Sequence, residues 1–465
     1  MAPRMIPLPV HGAIGLGQES DPSEKLTYHL ETWGCQMNVL DSHRMAGQLE
    51  SRGFRRADKT EVGDVVLLNT CAIREKAEAK VYSALGLLAQ RKRENPTLVI
   101  GVTGCVAQVQ GDEILERAPW VDFVAGPGQV ERVGELVAEV RRERQQIRAL
   151  ELPTESPIYQ FRDISRDSSF SAFLTVMEGC DQFCTFCIVP FTRGRERSRR
   201  AREILEEAAR LAAHGYSEIT LLGQTVNAYR DADEGTGFGE LLERVADVDG
   251  VRRLRFLTSH PIFVDEPMLR ALSAGGNIAP YLHLPAQSGS SRILYRMKRR
   301  YDRAAYLETV GRVRQSLPEA AISSDFIVGF PGETESDFQE TLSLMREVRF
   351  SNVFAFGYSP RPGTASARWG REHSIDPETS AERLARLLAL QEELQAESNR
   401  ALVGRDFELL IEGTNRKGQS RGRTLCNRVV HLDLEEAACP PAPGSYVQAR
   451  ITRGLPNSLL ATLAA

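Results

Sequence analysis

The segment GCDQFCTFC places Cys180, Cys184 and Cys187 within eight residues at CxxxCxxC spacing. Free cysteines seldom recur at that density without a shared ligand. A structural zinc site or a closed iron–sulfur cage is completed by four protein ligands, so three thiolates leave one metal position open. A [4Fe–4S] cube held by Cys180, Cys184 and Cys187 keeps one iron free for a small chelating molecule. The fold therefore has to present this loop where such a molecule can reach it.

At 465 residues the chain has enough length for about two to four domains, each with its own core. Hydrophobic residues at 42% and charged residues at 26% are those of an ordinary globular protein. No apolar run approaches bilayer-spanning length. Residues 1–25 are broken by Pro and Gly, lack the apolar centre of a signal peptide, and read as a disordered leader. A cytoplasmic location follows, where the eight cysteines serve as ligands or free thiols rather than disulfides. The net charge of −4 does not advertise a nucleic-acid binder, but two runs are locally basic: Thr192 to Arg202 and Arg296 to Arg303.

Three modules follow the leader. Residues 26–145 alternate strand-like runs (LTYHLETWG, DVVLLNT, TLVIGVTG, VDFVAGP) with helical ones, which predicts a flavodoxin-like α/β domain with a parallel sheet. Cys35, Cys71 and Cys105 each follow one of its first three strands. Ligand sites in open α/β sheets lie at the carboxyl ends of strands, so these distant cysteines are expected to converge as a second three-thiolate site. A polar linker, 146–167, leads to residues 168–400. There six strand-like runs alternate with helices, short of the eight of a full barrel, and predict a partial (β/α)6 barrel. The CxxxCxxC loop follows its first strand, at the end where barrel chemistry resides. Residues 401–465 read as short strands separated by turns (FELLIEG, SRGRTLCNRVVHLD, SYVQARITRG, SLLATLA), as in a small closed β-barrel. Its Arg416, Lys417, Arg421, Arg423 and Arg428 suit a phosphate backbone.

GCQMNVLDS, NTCAIREKAE and GVTGCVA in the first module, MEGCDQFCTFCIVPFTRGRERSR in the second, and LLGQTVNAY, TSHP, LPAQSGS and SSDFIVGFPGETESDF beyond it resemble methylthiotransferases of the MiaB family. EGTNRKGQSRGRT and PNSLLATL resemble a TRAM domain, an RNA-binding β-barrel. The resemblance spans nearly all the chain after residue 25. It implies a radical S-adenosylmethionine (SAM) enzyme that puts a methylthio group on C2 of N6-isopentenyl(dimethylallyl)adenosine beside the tRNA anticodon. It further implies a SAM-binding [4Fe–4S] cluster on Cys180, Cys184 and Cys187, an auxiliary [4Fe–4S] cluster on Cys35, Cys71 and Cys105, and two SAM molecules used as methyl donor and radical source. Implied partners are the tRNA anticodon stem-loop, a flavodoxin- or ferredoxin-type electron donor, and iron–sulfur assembly or repair proteins, with a monomer sufficient. Cys426 and Cys439 fall outside the pattern and read as small neutral residues.

The chemistry accounts for these parts. An aromatic C2–H is too weakly acidic for a side-chain base, so general acid–base catalysis alone is excluded. Both clusters then have to face a base splayed from its stack, so the first module is expected to cap the mouth of the partial barrel. Gly223, Gln224, Asn227 and Gly329 are candidate SAM contacts, and the run Thr192 to Arg202 is expected to touch tRNA phosphates, with Arg195 and Arg199 as its test positions. The competing enzyme readings are sister methylthiotransferases acting on a ribosomal-protein aspartate or on threonylcarbamoyl-adenosine. An electron carrier is disfavoured by two incomplete cages, and a pure RNA-binding module needs neither.

Overall fold

The computed structural model describes residues 26–58, 63–72, 75–153, 164–370, 373–434 and 439–464. The leader and residues 154–163 of the linker lie outside the described residues. The first domain is a six-stranded parallel sheet built from β1 (Thr27–Trp33), β2 (Arg55–Arg56), β3 (Val65–Thr70), β4 (Val99–Gly104), β5 (Phe123–Ala125) and β6 (Ile147–Ala149). Their order is β2-β1-β3-β4-β5-β6. VVLLNT and VIGVTG are buried along their whole length, as strands covered on both faces must be. Helices α1 (Gln36–Ser51), α2 (Glu75–Glu94), α3 (Cys105–Arg117) and α4 (Val133–Glu143) supply the cover, and two separate apolar clusters form on the two faces. The sequence pattern misses β2 and β6 because a two-residue charged strand and a three-residue strand are too short to show a period.

The second domain holds β7 (Ser171–Thr175), β8 (Met177–Glu178), β9 (Arg197–Ser198), β10 (Glu218–Leu222), β11 (Arg253–Phe256), β12 (Tyr281–His283), β13 (Ala321–Val328) and β14 (Asn352–Gly357). Six of these are the expected barrel strands. They pair in parallel as β11-β10-β7 and β12-β13-β14, and a Leu254–Ile278 bridge joins the two sheets. Among the described residues no pairing connects β7 to β14, so the barrel is open on that side. The short antiparallel pair β8–β9 brackets the cysteine loop. Helices α5 (Val189–Thr192), α6 (Ala201–Ala213), α7 (Phe238–Ala246), α8 (Glu266–Ser273), α9 (Ser291–Arg296), α10 (Arg303–Ser316), α11 (Glu335–Val348) and α12 (Pro377–Arg400) complete the domain.

Strands β15 (Asp406–Thr414), β16 (Ser420–Thr424), β17 (Val429–Leu432), β18 (Tyr446–Gly454) and β19 (Leu459–Leu463) close a barrel in the order β15-β16-β17-β19-β18. The run SRGRTLCNRVVHLD, expected as one strand, is two: Asn427 at φ 67 turns the chain between β16 and β17. This barrel docks on the starting ends of β10 and β11, opposite the ends that carry the cysteine loop. Arg255 donates to Glu218 at 2.8 Å and to the Leu425 and Thr424 carbonyls at 2.9 Å each. Arg253, with no exposed surface, reaches the Arg423 carbonyl at 3.0 Å. Replacing Arg255 by Ala leaves these buried acceptors unpaired, and a loss of about 3 kcal/mol is expected. Urea unfolding followed by a probe in the C-terminal barrel should show its transition at lower denaturant, whereas an unmoved transition would contradict this docking.

Candidate active site between two cysteine triads

The parallel register aligns Trp33, Thr70 and Gly104 across β1, β3 and β4. Cys35, Cys71 and Cys105 follow those positions by two, one and one residues, so the expected convergence is observed. Behind them lies a buried amide network. Asn38 donates to Asn69 Oδ1 at 3.1 Å, and Asn69 donates to the Asn38 carbonyl at 2.8 Å and to Ser42 Oγ at 2.9 Å. Asn38 Oδ1 in turn accepts from the Cys35 thiol at 3.3 Å. Gly104 sits at φ +88, and a Cβ there would come within 2.5 Å of the Thr70 carbonyl, so the strand can turn into Cys105 only through glycine. The motifs GCQMN, NTC and GVTGC thus serve one purpose, holding three sulfurs at one sheet edge.

Cys180, Cys184 and Cys187 follow β7 and β8. Gly179, at φ +78, donates to Gln224 Oε1 at 2.5 Å, and the Cys180 amide donates to the Gly194 carbonyl at 3.2 Å. The Cys180 sulfur lies 3.2 Å from Thr225 Oγ1, and Arg299 donates to the Cys184 sulfur at 3.4 Å. Burial and the neighbouring Cys184 sulfur push the Cys187 thiol up to about 12. In the other triad a hydrogen bond with Cys71, aided by Arg193 against the effect of burial, brings Cys35 down to about 6, towards the thiolate that binds metal.

The domains that carry the two triads meet across a docked seam. Cys35, Met37 and Leu40 share one apolar cluster with Leu222, Phe173 and Leu257 at the barrel mouth. Arg193, six residues past Cys187, is 5% exposed and donates to Asp41 of α1 at 2.6 Å. Burial opposes its charge, but Asp41, Cys105, Glu178 and Cys35 outweigh that and keep it protonated. From the other side Arg44 of α1 donates to Thr175 Oγ1 at 3.1 Å. The first domain therefore caps the barrel mouth as expected.

The basic runs need correction. Arg199 is buried on Glu207 at 2.8 Å and the Thr175 carbonyl at 2.7 Å, so it cannot reach a phosphate. Arg193, just past α5, and Arg197 of β9 also point inward, onto Asp41 and Glu178 respectively. Arg195, Arg200 and Arg202 remain at the surface, each beside an acid. In the second run Arg299 is a neighbour of the cysteine loop rather than a surface residue. Lys298 and Arg300 do stay outside, in a groove of about 560 Å3 that also includes Phe183 and Tyr295. In the C-terminal barrel Arg421 and Arg423 are tied to Glu412 and Arg428 to Asn399, which leaves Arg416 and Lys417 exposed. Cys439 is exposed and Cys426 half-buried.

Of the candidate SAM contacts, Gly223 packs on Met177 and Gln224 orders the cysteine loop. Asn227 is committed to the His260 backbone at 2.8 and 2.9 Å, and Gly329, at φ +68, donates to Glu333 at 2.7 Å. The residues that sequence reasoning missed are Arg193, Thr225, His260 and Arg299. His260 is buried beside Arg299 and Arg300, which with burial bring it down to about 2 and keep it neutral. Non-glycine residues with left-handed backbone gather at this mouth (Phe183, Thr258, Gln287, Lys298 and Arg300), and Thr258 is β-branched.

The residues fit iron–sulfur cubes and SAM. Each triad brings three sulfurs together, and buried Gln182 Oε1, Ser259 Oγ and His260 Nε2 lack partners among the described residues, ready for a polar ligand. No three His, Cys, Asp or Glu side chains among the described residues form a single-ion site.

Family models match in three places: Uncharacterized protein family UPF0004 over residues 27–126, the Radical SAM superfamily over 174–345, and the TRAM domain over 400–464. The fold is similar to that of the radical SAM methyltransferase TsrM from Kitasatospora setae, with TM-score 0.55 and 15% identity over 74% of this chain and 75% of that one. The fold and the cysteine loop thus define a radical SAM protein. The chain is 42% identical over 410 residues to the tRNA-2-methylthio-N(6)-dimethylallyladenosine synthase of Clostridium botulinum (strain Okra / Type B1), covering 87% of this chain and 90% of that one. It is 43% identical over 443 residues to the enzyme of that name from Geobacter metallireducens, covering 95% and 99%. The chain belongs to this methylthiotransferase family.

Substituting Arg193 by Met leaves buried Asp41 with only the longer Arg44 contact at 3.6 Å, and a destabilisation of about 3 kcal/mol is expected. Limited proteolysis should then cut between the first two domains faster than in wild type. Equal cleavage rates would show that the seam does not depend on this pair.

Proposed function

We propose that the protein transfers a methylthio group to C2 of N6-isopentenyl(dimethylallyl)adenosine beside the anticodon of tRNA, consuming two SAM molecules. The observation that carries this is the placement of two three-cysteine edges on one seam, in a family whose members are named for that product. In this reading Cys180, Cys184 and Cys187 would hold the SAM-binding [4Fe–4S] cluster, and Cys35, Cys71 and Cys105 the auxiliary one. When bound, these groups supply a one-electron route to a carbon radical and a transferable sulfur, which no side-chain base offers at an aromatic C2–H.

The chain's own residues set the conditions. Thr225 and Arg299 place hydrogen-bonding groups on the Cys180 and Cys184 sulfurs and so offset the negative charge that thiolates bring into a buried loop. Arg193 does the same near Cys35 and Cys105. The docked first domain excludes water from the seam. Gln224 and Asn227 hold the strand ends that shape it, with Gly223 and Gly329 allowing Met177 and Ser380 to pack closely behind them. Exposed Arg416 and Lys417 support RNA binding by the C-terminal barrel, and Arg195, Lys298 and Arg300 add surface charge near the mouth. Among the described residues no helix is long and apolar enough to cross a membrane. The protein in this reading works in the cytoplasm as a monomer, with a flavodoxin- or ferredoxin-type donor and iron–sulfur assembly partners.

Anaerobic incubation of reconstituted protein, SAM and reductant with tRNA carrying isopentenyl-adenosine should yield the 2-methylthio nucleoside by mass spectrometry. Unaltered tRNA with 5′-deoxyadenosine still released would instead indicate a sister substrate, a ribosomal-protein aspartate or threonylcarbamoyl-adenosine. Iron should fall from about eight to about four per chain when either cysteine triad is replaced by alanine, and an unchanged content would reject the ligand assignment. Charge reversal of Arg195 should weaken RNA binding at low salt and leave folding intact, whereas reversal of Arg199 should destabilise the barrel around Glu207. Equal behaviour of the two variants in thermal melts would overturn that distinction.

A further inference from the structure

A cleft of about 430 Å3 runs between the first domain and the open side of the barrel. Ala72, Val106 and Ile188 line it, and each directly follows a cysteine: Cys71, Cys105 and Cys187. Chain neighbours of both triads therefore border one cavity. Its outer wall is apolar, with Val109 from α3 and Pro360 and Pro362 from the loop after β14. Tyr82 offers an aromatic ring, with the Arg117 guanidinium stacked on it at 4.1 Å, and Arg361 stands at the opposite lip.

We infer that this cleft seats the modified adenosine, with its five-carbon N6 substituent against Val109, Pro360 and Pro362 and the flanking phosphates towards Arg117 and Arg361. The inference rests on the methylthio-transfer reading and adds the residues that select the prenyl group. A base that has to meet both triads needs a cavity bordered by both. A branched hydrocarbon gains from leaving water for such a wall, whereas a carboxylate-bearing substituent would lose its hydration there. Base stacking on an aromatic ring and arginines at the lips are the usual means of holding an unstacked nucleotide.

The test is binding of anticodon stem-loop RNA, with either isopentenyl-adenosine or adenosine at the modified position, to the reconstituted full chain. Wild type should prefer the prenylated RNA by roughly tenfold. Val109→Asn and Pro360→Asn should each cut that preference to about twofold or less, with affinity for unmodified RNA retained. Pro360 lies on an exposed loop, so its variant reports even where the helix variant folds poorly. Retention of the full preference by both variants, or its absence in wild type, would overturn the inference. The two readings fail separately. Product formation without any prenyl preference removes the cleft assignment alone, whereas an intact preference with no methylthio product removes the reaction and leaves the prenyl site.

Discussion

The buried pair between Arg193 and Asp41 is the interaction on which the architecture of the site depends. Neither domain contains a complete site. One supplies a cysteine loop at the mouth of an open barrel, and the other supplies three cysteines at a sheet edge. Arg193 leaves the cysteine loop on a short helix and enters the α1 surface, where Asp41 meets it at 2.6 Å. A charge pair that is so thoroughly dried carries a large desolvation cost, and the return contacts from Arg44 and the surrounding apolar cluster offset it. Such a pair fixes relative position sharply because any gap leaves a charge buried and unpaired. A reaction that has to bring one base to two metal centres requires that sharpness.

Each triad is then held by its own sheet. In the first domain, parallel pairing brings three strand ends side by side, and the Asn38–Asn69 network and Gly104 set the last residues. In the barrel, Gln224, Gly179 and Thr225 tie the loop to the end of β10. The C-terminal barrel is anchored at the far end of the same strands through Arg253, Arg255 and Glu218.

Much of this was legible in the sequence. Continuous apolar runs gave the parallel strands, and cysteines following the first three of them gave the sheet-edge triad, because strand order in such sheets brings consecutive strand ends together. The family resemblance gave the reaction, and relatives at 42% and 43% identity agree with it. The basic runs were not legible. Charge counts cannot distinguish a solvated arginine from a buried one: Arg193 joins two domains, whereas Arg197, Arg199 and Arg299 are taken up by Glu178, Glu207 and the Cys184 sulfur. Thr225 and His260 lie inside LLGQTVNAY and TSHP, but their roles were hidden because they act through contacts between strand ends far apart in sequence. The turn at Asn427 was hidden inside a run whose residues suit strands on both sides.

The central claim is that the two triads face one another where the first domain docks on the barrel mouth. The most direct measurement is electron paramagnetic resonance of the anaerobically reconstituted, dithionite-reduced protein, compared with variants in which one triad or the other is alanine. Facing clusters should broaden and relax one another, so that the wild-type spectrum differs from the sum of the two variant spectra. A wild-type spectrum equal to that sum, at every temperature and power, would contradict the account.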